Sequence, residues 1–321
     1  MLDADALLAA ARRPLLIGVG GGGDVAATLA LSEPLSRLHG ARPVVGGVSW
    51  ERIAVDRHPG PRRIAEIADV AEELAPAVVL AGAETRVSRT EDGEEVRFAE
   101  SRAAELSGES TVLVDPSEGP RAVAEGLGAA IERLDADLLV LVDVGGDAIA
   151  HGDEPGLSSP LCDAILLAAG AELAERGVTV LGAIFGPGCD GELAVEEVLT
   201  RVAEIAAGGG LAGARALTEP AAAALERAVE RIPTEASALP LRCFRGETGV
   251  AAIRGGRRHV ELSPLCTLTF FFDVLVALDT AARLAWAVRG AASLEAANDV
   301  LGDLGVRTEL DLEREALSPG S

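Results

Sequence analysis

The clearest chemical signal in the sequence is a pair of aspartates that directly follows its most strand-like run. Residues 137–142 form that run and lead into Asp143-Val-Gly-Gly-Asp147, with His151 one short step further along the chain. Acidic side chains just past a buried strand commonly hold Mg²⁺ beside a phosphate or move a proton. Asp143 and Asp147 are therefore candidate catalytic residues and metal ligands, and His151 is a candidate base. A solvated loop in which one acid caps a helix would produce the same pattern.

A second acidic loop follows another predicted strand, residues 178–185. It reads Gly186-Pro-Gly-Cys-Asp190, and Asp190 is a further candidate catalytic residue. Glycine allows the backbone to approach a ligand closely. Gly145, Gly146 and Gly188, which flank the aspartates of the two loops, are therefore candidate ligand-binding positions.

The glycine run Gly20–Gly23 lies between a short apolar strand, residues 15–19, and a helix that begins near Asp24. Free N–H groups at a helix start and the positive end of the helix dipole together favour a bound anion. Gly18, Gly20 and Gly23 also fit the dinucleotide pattern G-x-G-x-x-G. We interpret Gly20, Gly21, Gly22, Gly23 and Asp24 as candidate ligand-binding residues. A tight strand-to-helix turn without a ligand is the alternative.

A tripeptide with three different chemistries, Trp50-Glu51-Arg52, follows the second predicted strand. Glu51 stands where an acid that binds a ribose could lie, although further along than usual. The fork of donors on Arg52 suits a carboxylate or a phosphate, and Trp50 is a candidate wall of the pocket. Surface pairing of Arg52 with the many acids, and packing of Trp50 beneath the sheet, are the alternatives.

Predicted strands and helices alternate along the first two thirds of the chain. This pattern indicates an α/β fold, which we expect to be a Rossmann-like three-layer sandwich with a mostly parallel sheet and helices on both faces. Loops at the carboxyl ends of parallel strands gather at one edge of a sheet, and ligands bind there. The candidate residues above are therefore expected to lie on one rim.

The character of the sequence changes after residue 232. We predict a core of residues 1–232, an α+β extension of residues 233–315 packed on it as one integrated domain, and a disordered tail of residues 316–321. The apolar stretch 268–288 predicts a helix in the core or at a dimer face, and residues 306–310 a short strand. A homo-oligomer is accordingly an open possibility.

Composition limits the function classes. The formal net charge is −23, so a basic footprint for nucleic acid or for an anionic membrane is missing. The sequence contains no lysine, which excludes a Walker-type phosphate-loop kinase, and no tyrosine, which disfavours base stacking. The four cysteines have no metal-finger spacing, and we expect a cytoplasmic protein with reduced thiols.

Several of these motifs together resemble those of one protein family. They are Gly20-Gly-Gly-Gly-Asp24, Trp50-Glu-Arg52, Pro59-Gly-Pro61, Asp143-Val-Gly-Gly-Asp147, Ser159-Pro-Leu-Cys-Asp163 and Arg307-Thr-Glu-Leu-Asp311. The family is the archaeal and bacterial domain of unknown function 1152, and the resemblance covers nearly the whole chain. It implies one shared architecture and no particular activity.

Three functions remain open from the sequence. The first is an enzyme that binds a phosphorylated or carboxylated small molecule, with Mg²⁺ or a nucleotide as the candidate cofactor. Its reaction would be a metal-assisted phosphoryl or acyl transfer or a hydrolysis. The second is a dinucleotide-dependent oxidoreductase that uses the same glycine loop. The third is a non-catalytic ligand-binding or assembly subunit.

Overall fold

We analysed a computed structural model of the chain, which describes residues 2–90 and 93–318. The strands are β1 (Pro14–Gly18), β2 (Val44–Val48), β3 (Ile67–Ala75), β4 (Val78–Val87), β5 (Thr111–Val114), β6 (Leu138–Val144), β7 (Val180–Phe185), β8 (Leu211–Ala216), β9 (Gly249–Ile253), β10 (Arg258–Leu262) and β11 (Leu268–Asp273).

The α-helices alternate with the strands and then dominate the C-terminal part. They are α1 (Ala4–Ala10), α2 (Gly22–His39), α3 (Ala99–Ser107), α4 (Gly119–Leu134), α5 (Pro160–Glu175), α6 (Val195–Ala207), α7 (Glu219–Val229), α8 (Ala238–Phe244), α9 (Val274–Thr280), α10 (Arg283–Val288), α11 (Leu294–Asp303) and α12 (Glu309–Leu317). Short 3-10 turns cover Ile64–Glu66, Asp147–Ile149, Arg254–Gly256 and Pro264–Thr267.

One large mixed sheet organises the molecule. Its strand order is β3-β4-β5-β2-β1-β6-β7-β11-β8, and β9 and β10 form a separate hairpin. The pairings β2–β5, β1–β2, β1–β6 and β6–β7 are parallel, whereas the outer pairings are antiparallel. All seven residues of β6 are buried, because helices cover a parallel sheet on both faces and leave no solvated side.

Successive residues of the central strands supply two different hydrophobic cores. Leu139 and Leu141 of β6 belong to a cluster that includes α4, α5, α10 and α11. Val140 and Val142 belong to a second cluster on the other face, with α2 and α7. The alternation follows from the strand geometry, in which neighbouring side chains point to opposite faces. The predicted α/β fold with a mostly parallel central sheet and helices on both faces is therefore present.

The chain order of the parallel strands creates a crevice. From β1 the chain moves outward to β2 and then β5, and it returns through α4 to place β6 on the other side of β1. The loops after β1 and β6 therefore leave the sheet in opposite directions. Ligands in open α/β sheets bind at such switch points, outside the carboxyl ends of the strands.

The C-terminal segment differs from its sequence-based prediction. Residues 268–273 form β11, which lies antiparallel between β7 and β8 inside the main sheet, so the expected helix over 268–288 is wrong at its start. Short apolar runs have no periodicity that separates a buried strand from a buried helix. Residues 306–310 form no strand, because α12 begins at Glu309 behind an N-cap at Thr308.

The division of the chain into a core of residues 1–232 and an extension of residues 233–315 stays a prediction. Of the tail predicted over 316–321, Ala316 and Leu317 belong to α12, and residues 319–321 lie outside the described residues. Among the described helices, none combines the length and the apolar character that a membrane crossing requires.

Candidate functional site

A cavity of about 530 Å³ opens at the crevice between the carboxyl ends of β1 and β6. Its walls include the loops after β1, β2, β6 and β7, the start of α5, the β9–β10 hairpin and α12. The predicted residues that line it are Gly20, Gly21, Gly22, Gly23, Asp24, Arg52, Asp143, Asp147 and Asp190. An apolar cavity of about 450 Å³ and a surface depression of about 790 Å³ contain none of the predicted site residues.

Three aspartates form the centre of this cavity. Asp143 is the second-last residue of β6, Asp147 begins the following 3-10 turn, and Asp163 lies in the first turn of α5. One carboxylate oxygen of each lies within 4.8 Å of the others, and all three residues are at most 5% exposed. This spacing suits a single cation that binds one oxygen from each side chain.

The local hydrogen bonds leave most of the acceptor capacity of these aspartates free. The Ala148 N–H donates to Asp143 Oδ2 at 3.1 Å. The Ser159 hydroxyl lies 3.4 Å from Asp147 Oδ2, but it donates its one proton to Glu192 Oε1 at 2.6 Å. Burial raises the pKa of Asp143 to about 7. Burial, together with the negative charges of Asp163 and Asp143, raises the pKa of Asp147 well above its ordinary value. A bound cation would relieve this mutual repulsion.

Asp163 was missed as a site residue in the sequence analysis. Its signal is an acid in the first turn of a helix that begins at Pro160 and whose following residues, 164–171, are all apolar or glycine. Two carboxylates from distant segments cap the same helix start. Glu192 accepts hydrogen bonds from the Ser158 and Ser159 N–H groups at 2.7 and 2.8 Å. Glu309 accepts from the Leu161 and Cys162 N–H groups, both at 3.0 Å.

The loop after β7 brings Asp190 to the same cluster. Oxygens of Asp147, Asp190 and Glu192 lie within 4.8 Å of one another. Neither carboxylate oxygen of Asp190 has a hydrogen-bond partner of good geometry among the described residues, although the residue is only 5% exposed. Burial and the charges of Glu192 and Asp143 raise its pKa well above the ordinary value. The backbone N–H of Glu192 acts on the Asp190 carboxylate only enough to offset part of the rise in its pKa.

The glycine loop lies directly beside the aspartates. A Cβ atom placed on Gly20 would lie 2.7 Å from Asp24 Oδ2 and 3.4 Å from Asp163 Oδ1. The Gly20 N–H already donates to Asp24 Oδ2 at 2.6 Å, and the Val144 N–H donates to Asp24 Oδ1 at 3.0 Å. Asp24 therefore ties the β1 loop to β6 across the crevice, and its role in ligand binding stays a prediction.

The remaining amides of this loop are available. Within the described chain, the N–H groups of Gly21, Gly22 and Gly23 at the start of α2 have no hydrogen-bond acceptor, as expected of the first turn of a helix. All three glycines line the cavity. The amino end of α2 thus offers donors and a positive dipole to an anion.

Arg52 supplies a positive charge beside the glycine loop, since a Cβ atom placed on Gly21 would lie 3.7 Å from Arg52 Nε. Its Nη1 atom is buried without a hydrogen-bond partner and lies 3.8 Å from Glu309 Oε1 and 3.9 Å from Glu313 Oε1. The guanidinium carbon stacks 5.3 Å from the centre of the Trp50 ring. Trp50 is buried and donates its indole N–H to Glu313 at 2.9 Å, so it positions one of the two acids beside Arg52 and does not line the cavity.

Two arginines of the β9–β10 hairpin, Arg254 and Arg257, also line the cavity and were missed. Arg254 donates to Glu192 Oε1 at 3.1 Å. Although burial opposes the effect, Arg254 and the Ser159 hydroxyl keep the pKa of Glu192 below its ordinary value. No local motif marks these arginines, because the hairpin reaches the site only through tertiary packing.

Several predicted residues do not line the cavity. His151 pairs with Glu204, with 2.7 Å between Nε2 and Oε2, on α6. Glu51 accepts a hydrogen bond from the Ala99 N–H at 2.5 Å at the start of α3. The predicted glycines Gly145, Gly146 and Gly188 have positive φ angles and shape the acidic loops without lining the cavity. His151 is held by Glu204 on α6, Glu51 by the start of α3, and the three glycines serve the turns of their own loops.

Comparison with known proteins adds a family and no activity. A comparison with curated proteins found no significant match. A sequence model of the family described as "Protein of unknown function (DUF1152)" matches residues 15–317, which include every residue of the cavity. The match covers nearly the whole chain, so the chain belongs to the DUF1152 family.

Proposed function

We propose that the protein is a metal-assisted enzyme that acts on a phosphorylated or carboxylated small molecule. The observation that carries the proposal is the group formed by Asp143, Asp147 and Asp163, whose oxygens lie within 4.8 Å of one another beside the glycine loop. Three carboxylates in this arrangement are typical of a site for a hard divalent cation such as Mg²⁺ or Mn²⁺.

The fold context supports the same proposal. The five parallel strands follow the order β5-β2-β1-β6-β7, which we interpret as a Rossmann-like half with its switch point between β1 and β6. The cavity lies at that switch point and collects residues from loops far apart in the sequence. Ligand sites of α/β enzymes are commonly found at this location.

The division of charge within the cavity indicates an anionic substrate group. The amides of Gly21 to Gly23 are donors for it, and the Arg52 guanidinium, whose Nη1 also faces Glu309 and Glu313, adds positive charge. Arg254 and Arg257 add positive charge on the hairpin side. The carboxylates alone would repel an anion. A divalent cation bound to them would screen that repulsion and polarise the oxygen of a phosphate or carboxylate.

A dinucleotide-dependent oxidoreductase has less support from the geometry. Asp24 occupies the Gly20 amide, which a pyrophosphate would use in the nucleotide-binding motif. Glu51 is engaged at the start of α3, away from the cavity, so it does not stand where it could bind a ribose. A non-catalytic ligand-binding subunit would share the same anion and cation contacts, and it would bind without turnover.

A binding and turnover screen tests the proposal. The purified chain would be stripped with a chelator and screened by thermal shift against Mg²⁺, Mn²⁺, sugar phosphates, nucleotides and dicarboxylates. We expect a divalent cation to raise Tm by several degrees and to permit stabilisation by one anion class.

Variants then separate the outcomes. Asp147→Asn should abolish the cation response and Asp163→Asn should weaken it, whereas Asp279→Asn, at an exposed aspartate on α9, should leave it intact. Stabilisation by a dinucleotide without metal would favour the oxidoreductase. Binding without product from any member of that anion class would favour the non-catalytic subunit.

A further inference from the structure

The proposed site gives the carboxylate of Asp190 no role. Asp190 is only 5% exposed, and neither of its oxygens has a hydrogen-bond partner of good geometry in the described part of the chain. A buried charged group without a partner is costly, and natural structures normally satisfy such a group with an ion or water. The one candidate cation at Asp143, Asp147 and Asp163 does not include it.

The surrounding loops are built to keep Asp190 where it is. A Cβ atom on Gly145 would lie only 2.1 Å from Asp190 Oδ1, and the φ angle of Gly145 is +114°, so only glycine fits there. The Gly188 N–H donates to the Gly145 carbonyl at 2.7 Å, which fastens the β7 loop to the β6 loop. The position of Asp190 is therefore a property of two interlocked loops rather than of one mobile side chain.

The acidic side chains form two groups that overlap at one residue. Asp143, Asp147 and Asp163 make one group, and Asp147, Asp190 and Glu192 make the other, each with oxygens within 4.8 Å of one another. Because the five do not form a single group within the described residues, one ion cannot bind all of them. Asp147 is common to both groups and has two oxygens to share.

Glu192 is held beside Asp190 by donors on both of its oxygens. Its Oε2 atom accepts from the N–H groups of Ser158 and Ser159, and its Oε1 atom accepts from the Ser159 hydroxyl at 2.6 Å and from Arg254 Nη1 at 3.1 Å. These bonds fix the carboxylate in one orientation. A cation bound to Oε1 would take the place of the Arg254 guanidinium. Donors around a ligating carboxylate position it and are a regular part of metal sites.

From these observations we infer that the site holds a second divalent cation between Asp147, Asp190 and Glu192, with the Asp147 carboxylate shared by both ions. The inference rests on the proposed function, since it adds an ion to the same cavity. All ligands are carboxylate oxygens, which selects Mg²⁺ or Mn²⁺ over metals that prefer nitrogen or sulfur. Two ions about 4 Å apart typically clamp a phosphate, so the substrate class becomes a phosphate ester.

Counting bound Mn²⁺ on the full chain tests the second ion directly. Equilibrium dialysis with elemental analysis should find about two Mn²⁺ per chain for the natural protein, as two-metal sites require. Asp190→Asn and Asp163→Asn should each bind about one ion, and Asp147→Asn should bind almost none. The exposed-site variant Asp279→Asn should match the natural protein.

Electron paramagnetic resonance gives an independent readout. The loaded natural protein should show the spectrum of a spin-coupled Mn²⁺ pair, and Asp190→Asn the six lines of isolated Mn²⁺. Asp190→Ala would repeat the test if Asp190→Asn failed a circular-dichroism check of folding.

The outcomes distinguish the two proposals. One ion per chain in the natural protein, unchanged by Asp190→Asn, would overturn the second site and leave the proposed function standing. Two ions retained in Asp190→Asn would overturn the assignment to Asp190. No ion in any variant would overturn both.

Discussion

Asp24, in the first turn of α2, and Asp190, in the loop after β7, both follow glycine-rich segments at the carboxyl edge of the same sheet, and they differ in what surrounds them. Both are nearly fully buried, at 7% and 5% exposure. Asp24 accepts two backbone N–H groups, from Gly20 and Val144, whereas neither oxygen of Asp190 has a hydrogen bond of good geometry in the described chain. The Asp24 carboxylate joins the loop after β1 to β6, and the Asp190 carboxylate joins no two segments in this way. Residue type and loop context alone do not distinguish structure from function.

The largest expected effect on stability comes from removing the carboxylate of Asp24, which accepts two backbone hydrogen bonds. Asp24→Ala leaves the buried N–H groups of Gly20 and Val144 without acceptors, and we expect a loss of about 2–4 kcal/mol in the free energy of unfolding. Urea denaturation in chelator measures it. A loss below about 0.5 kcal/mol, which is typical of surface substitutions, would remove the structural role assigned to Asp24.

Arg52 provides the positively charged equivalent of Asp190, because its Nη1 atom is also buried without a hydrogen-bond partner. Arg52→Gln should weaken binding of the anion found in the screen by roughly 10–100-fold, the range expected for a lost hydrogen bond to a charged group. Isothermal titration calorimetry checks this. Unchanged affinity would place the anion elsewhere in the cavity.

Glu51 allows a pH test away from the aspartate cluster. Burial raises its pKa to about 7 from 4.5, so the folded state holds a proton that the unfolded state releases. The resulting stabilisation is present below pH 4.5 and is lost as the pH rises through 7. Glu51→Gln should therefore become more stable than the natural protein by about 1–2 kcal/mol between pH 5 and pH 8. Parallel pH profiles in urea denaturation would contradict the shift.

The smallest effect is expected at Asp190 in the metal-free protein. Asp190→Asn removes a negative charge from a crowded cluster and breaks no hydrogen bond, so we expect stabilisation by about 1 kcal/mol in chelator. With Mn²⁺ present, the natural protein should become the more stable of the two. Thermal unfolding in both conditions measures the reversal. Strong destabilisation in chelator would make Asp190 structural, like Asp24.

Much of the site could be predicted because it depends on local patterns. Glycine and aspartate after buried strands indicated Gly20–Asp24, Asp143, Asp147 and Asp190, and the geometry of parallel strands predicted that these loops would meet. His151 and Glu51 were assigned by the same logic and lie outside the cavity, since each is engaged by a neighbouring helix. Proximity in sequence to a strand end does not determine which way a side chain turns.

The residues that α12 and the β9–β10 hairpin contribute to the cavity could not be predicted from the sequence, because only tertiary packing brings them there. Glu309 and Glu313 belong to α12, and Arg254 belongs to a hairpin, and none of them follows a strand of the parallel sheet. Their positions depend on how the C-terminal segment returns to the core. That return requires β11 to enter the main sheet between β7 and β8, which the apolar pattern of 268–273 did not reveal.

By itself, the amino-acid sequence determined the alternating α/β class, the acidic charge, and the presence of Gly/Asp loops at strand ends. These properties follow from hydrophobic periodicity and composition, which act over a few residues. Only the tertiary structure decided which carboxylates are satisfied by backbone amides and which remain open, because hydrogen-bond partners such as Val144 for Asp24 come from distant strands. The same long-range packing placed α12 and the β9–β10 hairpin around the cavity.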